Sequence, residues 1–364
     1  MRLFQNSGLS PAYQSRLNTL ARGEPTFSGR LATFLGDRYG APHLLKPVLE
    51  RESTAFFTNG DDEQLQRLWA SENGLAPRAS LEEILIAQIE HHAAEVFYNL
   101  DPVRYGSDFI KKLPRCVKTA IAWRAAPSPR ADFSAYDAVV CNFPSIIKQY
   151  QARGWRAEHF APAYDPDMEP YAANIDRPID VLFVGGYSRH HLRRARVLNF
   201  VASLRDRFNV VFCLDRSRLT RLAESRLLRL LPFNHHSRSP ATSAVTQPPV
   251  FGRDLYRKLA RSKVVLNVSV DMAGADRGNM RCFEATGCGA LMVSDGGTYP
   301  AGFVNGRTMM LYETDDKAVA AIEEALQNPD RAREIAIDGH QMVRTQYNKT
   351  RQWADFNNLL ARLG

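Results

Sequence analysis

The chain has 364 residues, of which 45% are hydrophobic and 24% are charged, a composition that fits a globular protein of about two domains. It excludes a collagen, a coiled coil and a wholly disordered chain. The net charge of +8 is local, because the segment 181–240 contains twelve arginines and three acidic residues while the rest of the chain sums to −1. This distribution predicts an anionic partner near that segment.

In the first half of the chain, strand-like apolar runs alternate with segments of helical period, which is typical of parallel α/β layers. Ser80, with Glu83 three residues later, predicts a capping box at the start of a helix. The stretch 161–178 contains four prolines and no periodicity, which predicts an inter-domain linker. The predicted strands of this half are Leu3–Gln5, Thr54–Thr58, Glu95–Leu100, Val117–Trp123, Asp137–Asn142 and Ala157–Pro162.

A second α/β unit begins with IDVLFVGG, a predicted strand at 179–186 that ends in two glycines. A helix from about His190 to Arg207 is predicted next, and Pro329 is a predicted helix start near the C-terminus. Further strands are predicted at 209–214, 264–269, 290–294 and 308–312.

This order of elements predicts an α/β protein with two facing Rossmann-like domains and parallel sheets. We expect the domains at 1–165 and 175–345, with a C-terminal helix at 346–364 that packs back on the first domain. Ligands of parallel sheets bind beyond the carboxyl ends of the strands, so we expect a ligand in the cleft between the domains.

The segment 266–295 carries the most informative motif. A buried strand leads into a glycine-rich loop and then into a helix from Asn279 to Thr286, and the amino end of such a helix favours a phosphate. Arg281 would donate to phosphate oxygens, and Glu284, one turn later, would accept hydrogen bonds from a ribose diol. A plain crossover with a solvated arginine and glutamate remains the alternative.

A weaker anion site is predicted after the strand at 179–186. Gly185 and Gly186 are followed by a helix that opens with Ser188 and Arg189, and Arg193 and Arg194 add charge. The sequence has neither the GxGxxG fingerprint nor a Walker loop, so dinucleotide and ATP binding lose support. The alternative is that the glycines only form a tight turn.

The segments DAVVCN, YQARGW, APAYDPD, FVGG, LYRKLARSKVVLNVSVD, GNMRCFEATGCGALMVSD and GHQMVRTQYNKTRQWADFNNLL together resemble the CgeB-like glycosyltransferases of the spore maturation protein type, which are related to glycosyltransferase group 1. The resemblance covers about 135–364, and 1–134 in outline. It implies the GT-B fold, with a nucleotide-diphosphate-sugar donor held mainly by the C-terminal domain and an acceptor by the N-terminal domain.

The same resemblance implies roles for individual residues. Glu284 would hold the donor ribose, the backbone at Phe251 would meet the nucleobase, and Gly8 would approach the donor phosphates. The retaining enzymes of group 1 carry two glutamates separated by seven residues, and here Asp276 takes the first position, which leaves inverting or retaining stereochemistry open.

Other candidates come from single positions. Asp101, after the strand at 95–100, is a candidate general base, and Arg124, after Trp123, would line the acceptor side; a helix cap and a core aromatic are the alternatives. Asp165 and Asp167 form a DxD string, but it lies in the proline-rich stretch rather than after a core strand. No histidine pair has the spacing of a metal site, so we expect no metal and no cofactor.

The segment 215–233 has leucines at helical spacing with arginines between them, so it predicts either a basic helix on an anionic membrane or a core-packed helix with a solvated arginine face. No apolar run reaches the roughly 20 residues of a membrane span. The N-terminus lacks the apolar core of a signal peptide, and five cysteines, an odd number, favour free thiols. We therefore expect a cytoplasmic protein, with peripheral contact at the inner face of the plasma membrane if the basic helix binds lipid.

These features favour a metal-independent glycosyltransferase of hexosyltransferase type. It would transfer sugar to a hydroxyl acceptor, which could be a glycan, a lipid-linked or a small molecule, as in the synthesis of cell-envelope polysaccharide. The alternatives are a nucleotide-sugar epimerase on the same fold and a non-enzymatic basic adaptor at a membrane. Nucleic acid is not an expected partner, because aromatic residues are not interleaved with the arginines.

Overall fold

The computed structural model describes residues 1–187, 192–216, 218–224, 237–269 and 272–364. The chain divides into two compact units, one formed by Met1–Pro162 with Lys349–Gly364 and the other by Ala163–Asn348. Each unit contains one six-stranded sheet in which every neighbouring pair of strands is parallel.

The sheet of the first unit has the order β2-β1-β3-β4-β5-β6. The chain therefore leaves β1 on one side and returns on the other, and the carboxyl ends of β1 and β3 flank the point where the direction reverses. The strands are β1 (Leu3–Ser7), β2 (Ala55–Asn59), β3 (Val96–Asn99), β4 (Thr119–Trp123), β5 (Ala138–Cys141) and β6 (Ala157–His159).

Seven α-helices lie between β1 and β6 of the first unit and connect its strands. The predicted capping box is confirmed, since Ser80 Oγ accepts from the Glu83 amide and the Glu83 carboxylate accepts from the Ser80 amide. The helices are α1 (Pro11–Leu20), α2 (Phe27–Asp37), α3 (Lys46–Leu49), α4 (Glu63–Glu72), α5 (Leu81–His91), α6 (Ser107–Ile110) and α7 (Pro144–Gln151).

The sheet of the second unit has the order β12-β11-β10-β7-β8-β9, so its direction reverses between β7 and β10. Its strands are β7 (Ile179–Tyr187), β8 (Val210–Arg216), β9 (Thr246–Gln247), β10 (Ser262–Asn267), β11 (Leu291–Asp295) and β12 (Met310–Tyr312). Its helices are α8 (Glu169–Ala172), α9 (Leu192–Ala202), α10 (Arg218–Ala223), α11 (Pro240–Ala244), α12 (Gly252–Ala260), α13 (Met280–Gly287), α14 (Lys317–Gln327) and α15 (Pro329–Gln346).

Both faces of the second sheet are covered, which explains why its central strand is a continuous apolar run. Along β7, Val181 and Phe183 belong to one core cluster, which also contains apolar residues of α9 and α14. Leu182, between them, belongs to the cluster on the other face, with side chains of α12 and α13. The helix start predicted at Pro329 is confirmed.

The stretch 161–178 differs from its prediction as a linker. Within this stretch, the residues from Ala163 to Pro178 belong to the second unit. Tyr164 and Met168 are buried in its core, and the chain makes a 3-10 turn at Pro166–Met168 before α8. The proline-rich stretch is therefore a packed part of the second unit, because apolar side chains between its prolines are buried in that core.

The last helix, α16 (Lys349–Leu363), packs on the first unit. The ammonium of Lys349, a residue only 5% exposed, donates to the carbonyl oxygens of Ala41, Pro42 and Leu44 at 2.7, 3.1 and 2.7 Å. Two turns further on, the ring of Phe356 lies 5.0 Å from that of Tyr98 in β3. A buried charge and an aromatic contact therefore fix this helix to the unit that contains the N-terminus.

We predict that Lys349→Met destabilises the protein strongly, because three carbonyl oxygens would lose a buried charged donor. The free energy of unfolding should fall by about 2–4 kcal/mol in chemical denaturation. Lys317→Met, which removes an exposed ammonium paired with Glu313 on the surface of the second unit, is the matched control and should change little. Equal stabilities of the two variants would contradict this role for Lys349.

Candidate functional site

At the carboxyl edge of the second sheet, hydrogen bonds from one arginine connect the ends of β7 and β10, the two strands between which the strand order reverses. Arg194, on α9, donates to the carbonyl oxygen of Gly186 at 3.1 Å and to that of Val268 at 2.8 Å. One guanidinium therefore joins the carboxyl end of β7 to the chain just after β10. Crevices at such reversal points are where α/β sheets bind ligands.

The two glycines of the weaker predicted anion site lie at the carboxyl end of β7. Gly185 and Gly186 are inside the strand and pair with Leu214 and Asp215 of β8, so they do not form the tight turn that was the alternative. A side chain at Gly185 would meet the ring of Phe183 at 3.0 Å, which explains the glycine by packing. Ser188 and Arg189 lie outside the described residues.

Arg193 was predicted to add to the same anion site, but acidic residues of the protein already hold it. Its guanidinium forms ion pairs with Asp295 at 3.1 Å and with Asp315 at 2.8 Å. Arg196, one turn later, also pairs with Asp315. These contacts connect α9 to the ends of the neighbouring strands.

Asn279 occupies the N-cap position of α13, as its sequence position suggested, but its side chain makes no capping hydrogen bond. Its amide instead donates to Asn267 Oδ1 at 3.2 Å, at the end of β10. Asn267 in turn donates to Ser294 Oγ at 2.9 Å, at the end of β11. The start of α13 is therefore fixed to two strand ends through a buried chain of polar groups.

Arg281 and Glu284 form an ion pair on α13, with Arg281 Nη1 2.9 Å from Glu284 Oε2. Their side chains are only 16% and 6% exposed, which excludes the alternative of a solvated arginine and glutamate. The buried Nε of Arg281 makes no hydrogen bond within the described ranges. Burial raises the pKa of Glu284, and the nearby charge of Arg281 opposes that shift.

The loop before α13 is shaped by one fully buried carboxylate. Asp295, at the end of β11, pairs with Arg277 at 2.9 Å and accepts from the amide of Ser269 at 3.1 Å. The guanidinium of Arg277 also donates to the carbonyl oxygen of Gly274 at 2.8 Å. An isolated carboxylate would not remain charged at such a site, so the arginines are needed to stabilise it.

Asp276, the shorter acid in the family motif, lies in this same loop. It forms an isolated parallel bridge with Thr298, and the amide of Arg277 donates to the Thr298 carbonyl oxygen at 2.8 Å. The loop is therefore bound by its backbone to the chain after β11. These hydrogen bonds fix the backbone of the loop at Asp276.

Phe251 is the N-cap residue of α12 and has extended backbone angles, φ −140° and ψ 163°. The residues directly before it form no strand, since β9 is confined to Thr246–Gln247. The helix that Phe251 begins lies beside α13, and Tyr256 on it is close enough to Glu284 for the two to interact electrostatically. Phe251 and Glu284 thus belong to neighbouring helices of one unit.

The DxD string has structural partners. Asp165 is buried, caps the 3-10 turn that follows it and accepts from the Tyr256 hydroxyl at 3.1 Å. Asp167 pairs with Arg253 on α12. Among the described residues, no group of three or more histidine, cysteine, aspartate or glutamate side chains has an arrangement that could hold a metal ion.

In the first unit, the reversal point brings Gly8 and Asp101 together. A Cβ atom added to Gly8 would lie 3.0 Å from Asp101 Oδ2, so a larger residue here would displace the carboxylate. Asp101 pairs with Arg104 at 3.3 Å. Burial raises the pKa of Asp101, while the charges of Arg104 and Arg124 act in the opposite direction.

Asp61 was missed by the sequence analysis, although it lies beside these residues. Its carboxylate accepts from the Leu9 amide at 3.0 Å, directly after Gly8. Burial raises the pKa of Asp61, and the charge of Asp101 adds to the increase. The signal was the pair of acids that follows β2, since the carboxyl ends of β1, β2 and β3 share one edge.

Trp123 ends β4 at the same edge of the first sheet, and Arg124 follows it. Arg124 Nε donates to Ser128 Oγ at 2.8 Å. Trp123 is only 7% exposed and its ring lies 4.5 Å from that of His43, so it is a core aromatic. Burial lowers the pKa of His43 to about 3, which keeps the imidazole neutral. No motif marks His43 in the sequence.

Comparisons with known proteins agree with this architecture. Residues 216–358 match a protein-family model described as "Glycosyl transferase-like". HepE of Anabaena in complex with UDP-glucose has a similar structure, with 11% sequence identity and a TM-score of 0.57 over the whole of both chains. Sucrose-phosphate synthase of Thermosynechococcus elongatus has 15% identity and a TM-score of 0.53, and the match covers 100% of this chain and 99% of that one. A UDP-forming α,α-trehalose-phosphate synthase of Burkholderia xenovorans has 11% identity and a TM-score of 0.52, with 100% of this chain and 98% of that one covered. No curated protein sequence matches the chain.

At these identities the structural likeness establishes the fold. The predicted α/β architecture of GT-B type, with two Rossmann-like units of parallel strands and a C-terminal helix, is confirmed. None of the helices in the described part of the chain combines the length and hydropathy needed to span a membrane.

We predict that Asp295→Asn loosens the loop before α13, because Arg277 and Arg193 would lose a buried counter-charge. The free energy of unfolding should fall by about 3–5 kcal/mol in chemical denaturation. Hydrogen exchange of the amides at 273–278 should become faster.

The matched control is Asp315→Asn, which removes the second partner of Arg193 at a side chain that is 19% exposed. It should cost about 1 kcal/mol or less. Unchanged exchange at 273–278 in Asp295→Asn would show that this carboxylate does not hold the loop.

Proposed function

We propose that this chain is a glycosyltransferase that moves a sugar from a nucleotide-diphosphate-sugar donor to a hydroxyl acceptor. The observation that carries the proposal is the buried Arg281–Glu284 pair on α13, at the carboxyl edge of the second sheet. The family match covers this helix, and HepE, of similar fold, forms complexes with UDP and UDP-glucose.

The donor site follows from the chemistry of these two side chains. The carboxylate of Glu284 accepts hydrogen bonds from the two hydroxyls of a ribose. Arg281 retains a buried Nε–H that has no partner among the described residues, and a diphosphate oxygen is a strong acceptor for it. Because the pair is desolvated, each such bond is stronger than it would be in water.

In the transfer step, negative charge grows on the diphosphate as the bond to the sugar breaks. Arg281 and the backbone amides at the start of α13 are fixed before that charge develops, so they stabilise it without reorganisation. We include independence from metal ions in the proposal, since these cationic and dipolar groups act on the same oxygens as a metal would.

The acceptor hydroxyl must lose a proton as it attacks the sugar. Asp101 is the proposed general base, and its raised pKa brings it closer to neutral pH, which favours proton transfer. Gly8 leaves room for the carboxylate at the end of β1. Arg124 is proposed to contact the acceptor.

The finer assignments are also proposals. They comprise the CgeB-like subtype, transfer of a hexose, a cytoplasmic location, an acceptor of the cell envelope and peripheral contact of 215–233 with anionic lipid. That segment lies largely outside the described residues, and its support is its arginine-rich sequence.

Product analysis tests the proposed reaction. Purified protein is incubated with UDP-sugars, with and without a panel of hydroxyl acceptors, in buffer containing EDTA. Acceptor-dependent release of UDP together with a glycosylated product is expected. Conversion of the donor sugar without any acceptor would identify an epimerase, and abolition of transfer by EDTA would contradict a metal-independent reaction.

We predict that Glu284→Gln weakens UDP binding about 10- to 100-fold in isothermal titration calorimetry, because a neutral amide replaces the charged acceptor of the ribose hydroxyls. Glu324→Gln, an exposed substitution on α14, is the matched control and should bind UDP as the wild type does. Circular dichroism should show that both variants are folded. Wild-type affinity in Glu284→Gln would reject the assigned role.

A further inference from the structure

The amino edge of the second sheet contains a cavity of about 270 Å³. It lies beside the first residues of β10 and under the start of α15, whereas Arg281 and Glu284 follow the opposite edge. Its lining combines basic side chains with apolar ones, chiefly Arg177, Lys263, Arg333, Leu326, Ala332 and Ala336. None of the described residues that line it is acidic.

Arg177 is the most enclosed of the three cations. Its guanidinium donates to the carbonyl oxygens of Ser262 at 2.9 Å and Cys288 at 3.2 Å. Its Nε is buried and has no hydrogen-bond partner within the described ranges. At Gly289, a Cβ atom would lie 3.0 Å from Arg177 Nη2, so the guanidinium is closely packed there.

Arg333 faces the same space from the second turn of α15. In the part of the chain that the structure describes, neither Arg177 nor Arg333 has a carboxylate within ion-pair distance. Lys263 differs, since it pairs with Asp180 at 2.6 Å. Burial lowers the pKa of Arg177 to about 10, and the charge of Arg333 adds to that lowering.

Two cations without a counter-charge at one cavity repel each other, and a bound anion would remove that cost. The rest of the lining is aliphatic, so it favours a ligand whose other end is apolar. The volume restricts that ligand to a small molecule. Chemically, these conditions describe a phosphate or carboxylate joined to a short hydrocarbon chain.

We propose that this cavity is a binding site for a small organic anion. The anionic head lies between Arg177 and Arg333, and the hydrocarbon part packs against Leu326 and Ala336. The site is separate from the proposed donor site, because it opens at the opposite edge of the sheet. The inference therefore does not depend on the proposed glycosyltransferase activity.

Calorimetric titration with butyl phosphate, pentanoate, inorganic phosphate and butanol tests the site. Saturable binding of butyl phosphate or pentanoate is expected, with butanol and inorganic phosphate at least about tenfold weaker, because each lacks one half of the ligand. Butyl phosphate and pentanoate distinguish a phosphate from a carboxylate head. Failure of both to bind would overturn the proposal.

Substitutions of residues that line the cavity test whether the anion binds there. Arg333→Ala, at an exposed position, should weaken the better anion at least about tenfold, and Ala336→Leu should weaken it by filling the apolar end. Arg331→Ala is the matched control, because Arg331 is a neighbouring exposed arginine that pairs with Glu334. Wild-type binding in both Arg333→Ala and Ala336→Leu would overturn the site.

Each titration is repeated with saturating UDP to separate this site from the donor site. Binding that UDP leaves unchanged supports a separate cavity, and displacement by UDP would contradict it. If UDP itself does not bind, a UDP-sugar donor is rejected, while the anion titration of the wild type and Arg333→Ala still decides the present inference. Thermal unfolding of each variant verifies that it is folded.

Discussion

At the carboxyl edge of the second sheet, the carboxylate of Asp295 connects α9, the loop before α13 and the chain after β10. It is fully buried, pairs with Arg277 and Arg193, and accepts from the backbone and hydroxyl of Ser269. A desolvated carboxylate is stable only with such partners, so the segments that supply them are held in place. The end of β10, the loop before α13 and the start of α9 are therefore positioned together, next to the helix that carries Arg281 and Glu284.

The two units have similar sheets but carry different polar residues at the carboxyl ends of their strands. In both sheets the strand order reverses beside the first strand of the unit, and polar groups gather at the carboxyl ends. The first unit places Gly8 against Asp101, whereas the second uses Arg194 to connect the ends of β7 and β10. In the proposed reaction, Arg281 and Glu284 of the second unit bind the nucleotide diphosphate, and Asp101 of the first unit is the proposed general base.

Much of the fold could be predicted because strands buried on both faces are unbroken apolar runs. The strand at 179–186 was found in this way, and the capping box at Ser80 follows from local geometry alone. The two-residue β9 gives no such signal, and the glycines of β7 left a tight turn open as an alternative because glycine weakens a strand interior. Only packing against Phe183 explains Gly185.

The candidate site could be predicted only where its chemistry is local in the sequence. Arg281 and Glu284 are three residues apart on one helix, so their pairing follows from helical spacing. The contact of Arg277 with Asp295, and that of Gly8 with Asp101, join residues that are distant along the chain, and no spacing rule connects them. Long-range charge pairing of this kind requires the tertiary structure.

A crystal structure of the protein with UDP would show whether the Arg281–Glu284 pair binds the nucleotide. We expect both ribose hydroxyls within about 3.2 Å of the Glu284 carboxylate, with a diphosphate oxygen at hydrogen-bond distance from Arg281. UDP bound elsewhere, or an Arg281–Glu284 pair without contact to the nucleotide, would contradict it.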